Sequence, residues 1–153
     1  MPMELSLVMV GRNDNYGGDF KSRLQNCISW TFNQLTINEI QSEIIFVNYN
    51  PLIESSILDF IDWPKSNDFV SVRMITVSSE VHNHIITNYD IKPVPVLEYF
   101  AKNAGIRRAR GKFILSMNPD ILMDERIFSK FKKLRSENYY RCNRCDFDSE
   151  IQN

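Results

Sequence analysis

The sequence predicts an α/β protein: a three-layer α/β/α sandwich around a mostly parallel sheet. Three observations predict it. Four short apolar runs, at residues 5–10, 43–47, 70–77 and 112–117, have the length and composition of strands buried on both faces. Segments with helical spacing separate most of them. Three of the runs end in clusters of Asn, Asp, Gly or Pro, as strands do where they enter loops.

Each element follows from its residues. The first run, LSLVMV, stops at Gly11-Arg12. Residues 19–35 then place Phe20, Leu24, Cys27 or Ile28, Thr31 and Leu35 on one helical face, with Asp19 as N-cap or first-turn acid. The second run, EIIFV, ends in Asn48-Tyr49-Asn50-Pro51. Residues 53–61 form a short helical connection to the third run, VSVRMITV. Residues 78–93 carry no clear period, and Pro93 and Pro95 mark a boundary.

Residues 96–110 read as a helix. Leu97, Ala101, Ala104 or Gly105, and Ala109 give it a small face for close packing on a sheet. Phe100, Asn103, Arg107 and Arg110 share a second stripe, and Gly111 is the expected stop. The fourth run, KFILSM, leads into Asn118-Pro119-Asp120. A last helix is expected over 125–135 and a final strand over 139–147.

The 153 residues amount to one domain, with no internal repeat and no linker. At 43% hydrophobic and 24% charged, the chain has the composition of a folded globule rather than a disordered one. Three Cys argue for a reducing compartment rather than a disulfide scaffold. With neither a signal peptide nor a transmembrane segment legible, a cytoplasmic location is expected. The net charge of −1 argues against a nucleic-acid partner. That charge is split: residues 1–100 carry 6 Lys+Arg against 12 Asp+Glu, and residues 101–153 carry 12 against 7. The densest basic stretch, 102–112, contains no acid. It reads either as a solvated helix face or as a site for a phosphorylated ligand.

Other nucleotide and hydrolase signatures are missing. There is no G-x-G-x-x-G, no G-x-x-x-x-G-K-[ST] and no G-x-S-x-G. Cys142 and Cys145 with His82 and His84 could supply four zinc ligands. However, H-x-H is not zinc-finger spacing, and an extended 139–147 would send the two Cys to opposite faces.

The segment from Asn103 through Gly105, Ala109 and Gly111 to Asn118-Pro119-Asp120 resembles the N-x-G-x-x-x-A-x-G stretch of family 2 glycosyltransferases with the GT-A fold, with the buried strand and [ND]-x-D turn that follow it. The likeness extends over roughly residues 4–135. It implies a GT-A type sheet and a nucleotide-sugar donor, with UDP as the default nucleotide. It also implies Mn²⁺ or Mg²⁺ at Asp120, with Asn118 standing where the family has its first carboxylate. By the same resemblance, Arg12, Asn13, Asp14 and Asn48 would touch base and ribose. Arg107 or Arg108 would approach the diphosphate, and Asn103 opens the motif. A divalent cation suits this chemistry because a departing diphosphate builds negative charge.

The acceptor (a glycan, a protein or a small molecule) and the catalytic base are not legible. Asp124, Glu125, Asp146 and Asp148 follow the turn, but none lies in a recognisable base motif. The chain is also short for a full acceptor-binding half. The alternatives are therefore a non-catalytic nucleotide-sugar-binding module, a relative that needs a partner chain or an oligomer, or an unrelated small α/β binding domain.

Overall fold

The computed structural model describes residues 2–52 and 56–143. Four strands form one sheet: β1 (Leu5–Gly11), β2 (Ser42–Tyr49), β3 (Val70–Val77) and β4 (Phe113–Ser116). All pair in parallel, in the order β3-β2-β1-β4. Leu5 stands opposite Ser42 on one side and Phe113 on the other. The helices are α1 (Phe20–Ile37), α2 (Ile57–Phe60), α3 (Ser79–Asn88), α4 (Glu98–Ile106) and α5 (Glu125–Phe131).

Strand alternation divides the core into two layers. Leu5, Leu7 and Met9 of β1 join Ile44 and Phe46 of β2 on one face. There they meet Leu24 and Ile28 of α1, Ile57 of α2 and Phe128 of α5. Val8, Val10, Ile45, Val47 and Tyr49 face the other way, against Leu97 and Ala101 of α4 and Ile85 of α3. Helices thus cover both sides of the sheet. Right-handed crossovers require this: travel from β1 to β3 puts its helices on one face, and the return to β4 puts them on the other. Every residue of β1 and β2 is buried, as their continuous apolar runs demand.

Several sequence expectations shift. Residues 79–88, left unassigned by period, form α3, whose N-cap Ser78 accepts a hydrogen bond from the Val81 N–H. Only His82 of this helix is buried, so no apolar stripe marks it. Asp19 occupies the N-cap position of α1, but its side chain makes no cap bond. Asn15 Oδ1 accepts the Phe20 N–H instead, at 3.2 Å.

The helix expected to run to Arg110 ends at Ile106, because the sheet claims the backbone beyond it. Arg73 Nη1 donates to the Arg108 carbonyl at 3.0 Å, and the Arg110 N–H donates to Glu43 Oε1 at 2.6 Å. The Gly111 N–H donates to Ser6 Oγ at 2.8 Å. Gly111 is therefore a point of close approach rather than a helix stop. A Cβ there would lie 2.5 Å from the backbone nitrogen of Ser6.

The last helix ends at Phe131, four residues early. Residues 139–143 form no strand, and the Tyr140 hydroxyl accepts the Arg135 N–H at 2.8 Å. The remainder of the expected final strand, with Cys145 and Asp146, lies outside the described residues, as does Asp148 beyond it. Among the described residues, no helix is long and apolar enough to cross a membrane.

Candidate ligand site at the carboxyl edge of the sheet

Neighbouring strands β1 and β4 are followed by α1 and α5, whose Leu24, Ile28 and Phe128 pack on the same face of the sheet. The loops that leave their carboxyl ends lie side by side and border a crevice at the edge where open parallel sheets bind ligands. Arg12, Asn13 and Asp14 leave β1 there, and Asn118-Pro119-Asp120 follows β4. The crevice is built from the residues that these two loops and their neighbours supply.

Arg12 stitches two strand ends together. Its Nε donates to the Asn50 carbonyl at 2.6 Å, and its Nη1 pairs with Asp14 at 3.2 Å. Asn50, in the left-handed region at φ 47°, turns the chain after β2. Its Nδ2 donates to the Pro95 carbonyl at 2.9 Å, which ties the α3–α4 connection to the same edge. Asn48 is buried, and its Oδ1 has no hydrogen-bond partner among the described residues. Buried polar atoms are rarely left unpaired, which singles this oxygen out at the strand end.

The Asp120 turn hangs from a single stripe of α1. Arg23 Nη1 bonds Asp120, Cys27 Sγ donates to the Ile121 carbonyl at 3.2 Å, and Trp30 Nε1 donates to the Met123 carbonyl at 2.7 Å. Arg23 also donates to the Gly18 carbonyl at 3.2 Å and to that of Tyr16. It therefore couples the β1–α1 loop to the turn after β4. Across the crevice, Lys102 Nζ donates to Asn118 Oδ1 at 3.0 Å and pairs with Glu98 at 2.7 Å. Arg12, Arg23 and Lys102 each carry an acidic partner, and an incoming phosphate can exchange for those carboxylates.

Next to this edge, His82 Nδ1 and the Tyr49 hydroxyl lie 3.1 Å apart in the interior. Burial and the nearby Arg12 charge push the imidazole below its usual range, against a backbone bond at Val94 that raises it. Burial pushes the Tyr49 phenol up. His82 is thus engaged away from solvent, while His84 contacts Asn88 Nδ2 at 2.8 Å and Cys142 is exposed. Of the zinc ligands considered from sequence, Cys145 lies outside the described residues, and His82 and His84 are engaged with different partners. Burial drives the Cys27 thiol up to about 12, so it is no nucleophile at neutral pH.

The structure brings Arg12, Asp14, Asn118 and Asp120 to one sheet edge, with Asn48 on the strand end beside them. Asn103 is exposed on α4. Arg107 and Arg108 lie at the opposite, amino-terminal end of the sheet, where the Arg108 carbonyl meets Arg73 and Arg73 meets Glu43 near the start of β2. Sequence reasoning missed Arg23 and Lys102 as crevice residues. The signal for Arg23 is its place with Cys27 and Trp30 at i, i+4 and i+7 on α1.

The oxygen donors of Asp120 and Asn118 suit a hard divalent cation that takes its remaining ligands from phosphate and water. Among the described residues, no group of three His, Cys, Asp or Glu forms an all-protein metal cage. No protein-family model matches the chain, and no curated protein matches it in sequence.

Proposed function

We propose that this crevice binds a nucleotide-diphosphate sugar, with UDP as the nucleotide, and that the chain is a GT-A type glycosyltransferase transferring a hexose to an acceptor hydroxyl. One observation carries the reading. The motif segment that resembles the family's donor site ends at the carboxyl-edge crevice, where Arg23 bonds Asp120 and Lys102 bonds Asn118, and where the Arg12–Asp14 pair leaves the neighbouring strand.

In this reading the orphan oxygen of Asn48 takes an N–H of the base, and Arg12 holds the β1 loop against Asn50 to shape that pocket. Arg23 and Lys102 exchange their bonds to Asp120 and Asn118 for phosphate oxygens. Asp120, with Asn118 beside it, would hold Mn²⁺ or Mg²⁺, which supplies charge neutralisation for the departing diphosphate. The acceptor oxygen forms a bond to the anomeric carbon, the bond from that carbon to the diphosphate oxygen breaks with its electron pair leaving on UDP, and the acceptor's proton passes to a base or to solvent water.

A second reading, a non-catalytic nucleotide-sugar-binding module or a partner-dependent relative, is favoured by a specific observation. Among the described acids after the turn, Asp124 is committed to its own helix. It accepts the Arg126 N–H at 2.9 Å and pairs with the Arg126 guanidinium at 2.7 Å.

Thermal denaturation with UDP, with and without Mn²⁺, tests binding. A ligand at a hundredfold over its Kd stabilises by about 2.7 kcal/mol. Donor binding predicts stabilisation by UDP and loss of any Mn²⁺ increment in Asp120→Ala. No stabilisation under either condition would sink both readings. UDP release from a panel of UDP-sugars then separates enzyme from binder.

A further inference from the structure

The basic run in the sequence is not absorbed by the crevice. Arg107, Arg108, Arg110 and Lys112 are all exposed at the amino-terminal end of the sheet, on the loop between α4 and β4. None of the four forms a salt bridge among the described residues. Arg108 folds back to donate to the Ala104 carbonyl at 3.0 Å, and Lys112 lies 5.5 Å from the centre of the Phe113 ring.

The loop backbone is fixed from beneath. Buried Glu43 takes the Arg110 N–H, Ser6 takes the Gly111 N–H, and Arg73 takes the Arg108 carbonyl. The cations are therefore presented on a rigid mount, which lowers the ordering cost of docking. At either end of the run stand two exposed apolar side chains, Ile106 at 36% and Ile114 at 44%.

We propose that this loop is a docking surface for an anionic lipid bilayer, with the cations on the headgroups and the two isoleucines at the acyl boundary. Basic residues flanked by exposed aliphatic ones fit an interface that is anionic above and apolar below. A nucleic acid would call for stacking aromatics: residues 107–112 contain none, and Phe113 at the start of β4 is half-buried against the core.

The acids at the carboxyl end of the sheet, Asp14 and Asp120, do not oppose this contact. The seven residues of β1, at about 3.3 Å each, separate the two ends of the sheet by roughly 20 Å. That is more than twice the Debye length of about 8 Å at physiological salt. Glu39 and Asp68 stand at this same end, on the turns that enter β2 and β3, where Thr36 meets Asn67 and Gln41 meets the Asp68 carbonyl. Glu4 precedes β1 beside the loop, its carbonyl accepting the Phe113 N–H at 2.9 Å. Docked in this way, the protein turns its carboxyl-edge crevice toward solvent.

The test is co-sedimentation of the full chain with vesicles of equal parts phosphatidylserine and phosphatidylcholine, against vesicles of phosphatidylcholine alone. Binding is expected to the anionic vesicles only, and to fall as salt is raised toward 1 M, where the Debye length is about 3 Å. Each neutralised cation should lower the partition about fivefold, so Arg107→Gln with Arg110→Gln should lower it about 25-fold. Lys132→Gln with Lys133→Gln, on the α5 side, should leave it within about twofold of the parent chain. Circular dichroism confirms that both double variants fold. Equal binding to neutral vesicles, no loss in the Arg107/Arg110 variant, an equal loss in the Lys132/Lys133 variant, or tighter binding to a single-stranded oligonucleotide than to the vesicles would each overturn the proposal.

Discussion

Replacing Glu43 by Gln tests what holds the amino-terminal end of this fold together. Glu43 is fully buried. Its Oε1 accepts from Ser6 Oγ at 2.7 Å and from the Arg110 N–H at 2.6 Å, while Oε2 pairs with Arg73 at 2.6 Å. Burial on its own would raise the carboxyl. The hydrogen bonds from Arg73, Ser6 and Arg110, together with the Arg73 charge, outweigh it and hold the group below its usual range.

Glutamine keeps an oxygen for Ser6 and Arg110 but turns an amide N–H₂ toward the guanidinium. Losing one member of a buried pair costs about 3–5 kcal/mol. Arg73 is 26% exposed, so water screens part of the attraction, and about 2–3 kcal/mol is the expected loss. For a chain of this size that corresponds to a Tm about 5–10 °C lower.

The pH dependence follows from the direction of the shift. A depressed folded pKa gives stability that is fully present above the unfolded value, about 4.3 for Glu, and is lost as pH falls through the folded value. Glu43→Gln lacks that contribution. The gap between parent and variant should be full near neutrality and close below about pH 4. Urea denaturation followed by circular dichroism across this range measures it. A gap under about 1 kcal/mol at neutrality, or one that does not narrow in acid, would refute the reasoning.

Two further outcomes follow from packing and burial. Gly105→Ala should destabilise the protein by about 1–2 kcal/mol in urea denaturation: the new Cβ would sit 2.5 Å from Val8 Cγ1 and 3.1 Å from Val47 Cγ2, and the clash exceeds the helix-propensity gain of about 1 kcal/mol. A stabilised variant would show that α4 can lift from the sheet without cost. In native protein treated with a maleimide at neutral pH, Cys142 should label and Cys27 should not, as read by peptide mass spectrometry, and Cys27 should become reactive only on unfolding. Rapid native labelling of Cys27 would contradict its burial beneath the Asp120 turn.

Much of the architecture was legible in the chain. LSLVMV, EIIFV, VSVRMITV and KFILSM are continuous apolar runs because β1 and β2, at the centre of the sheet, are covered on both sides. All four became strands within two residues of the expected ends. Helix α1 was legible because one stripe of it enters the core. Helix α3 was not, since it buries a single histidine and rests on a Ser cap rather than on an apolar face.

The crevice was legible as a set of loop residues. Its internal wiring was not: Arg23 and Asp120 are 97 positions apart, and nothing local to either indicates the other. The same holds for Lys102, which sequence grouped with Arg107 and Arg108 in one basic run. Over those residues α4 runs toward the amino-terminal end by only about 7.5 Å, and the long side chain of Lys102 reaches back to Asn118 at the carboxyl edge while the arginines emerge at the opposite end.

The sequence by itself determined the α/β class, the order of its four strands along the chain, and the polar turns that end β1, β2 and β4. Those features follow from local periodicity and backbone chemistry, which each segment carries within itself. Only the tertiary structure decided where α4 stops, which charges face the crevice and which face away, and that a buried glutamate anchors the loop between α4 and β4. These depend on partners that folding brings together from distant segments: a carboxylate on β2, a guanidinium on β3 and a backbone amide after α4 meet around one buried point.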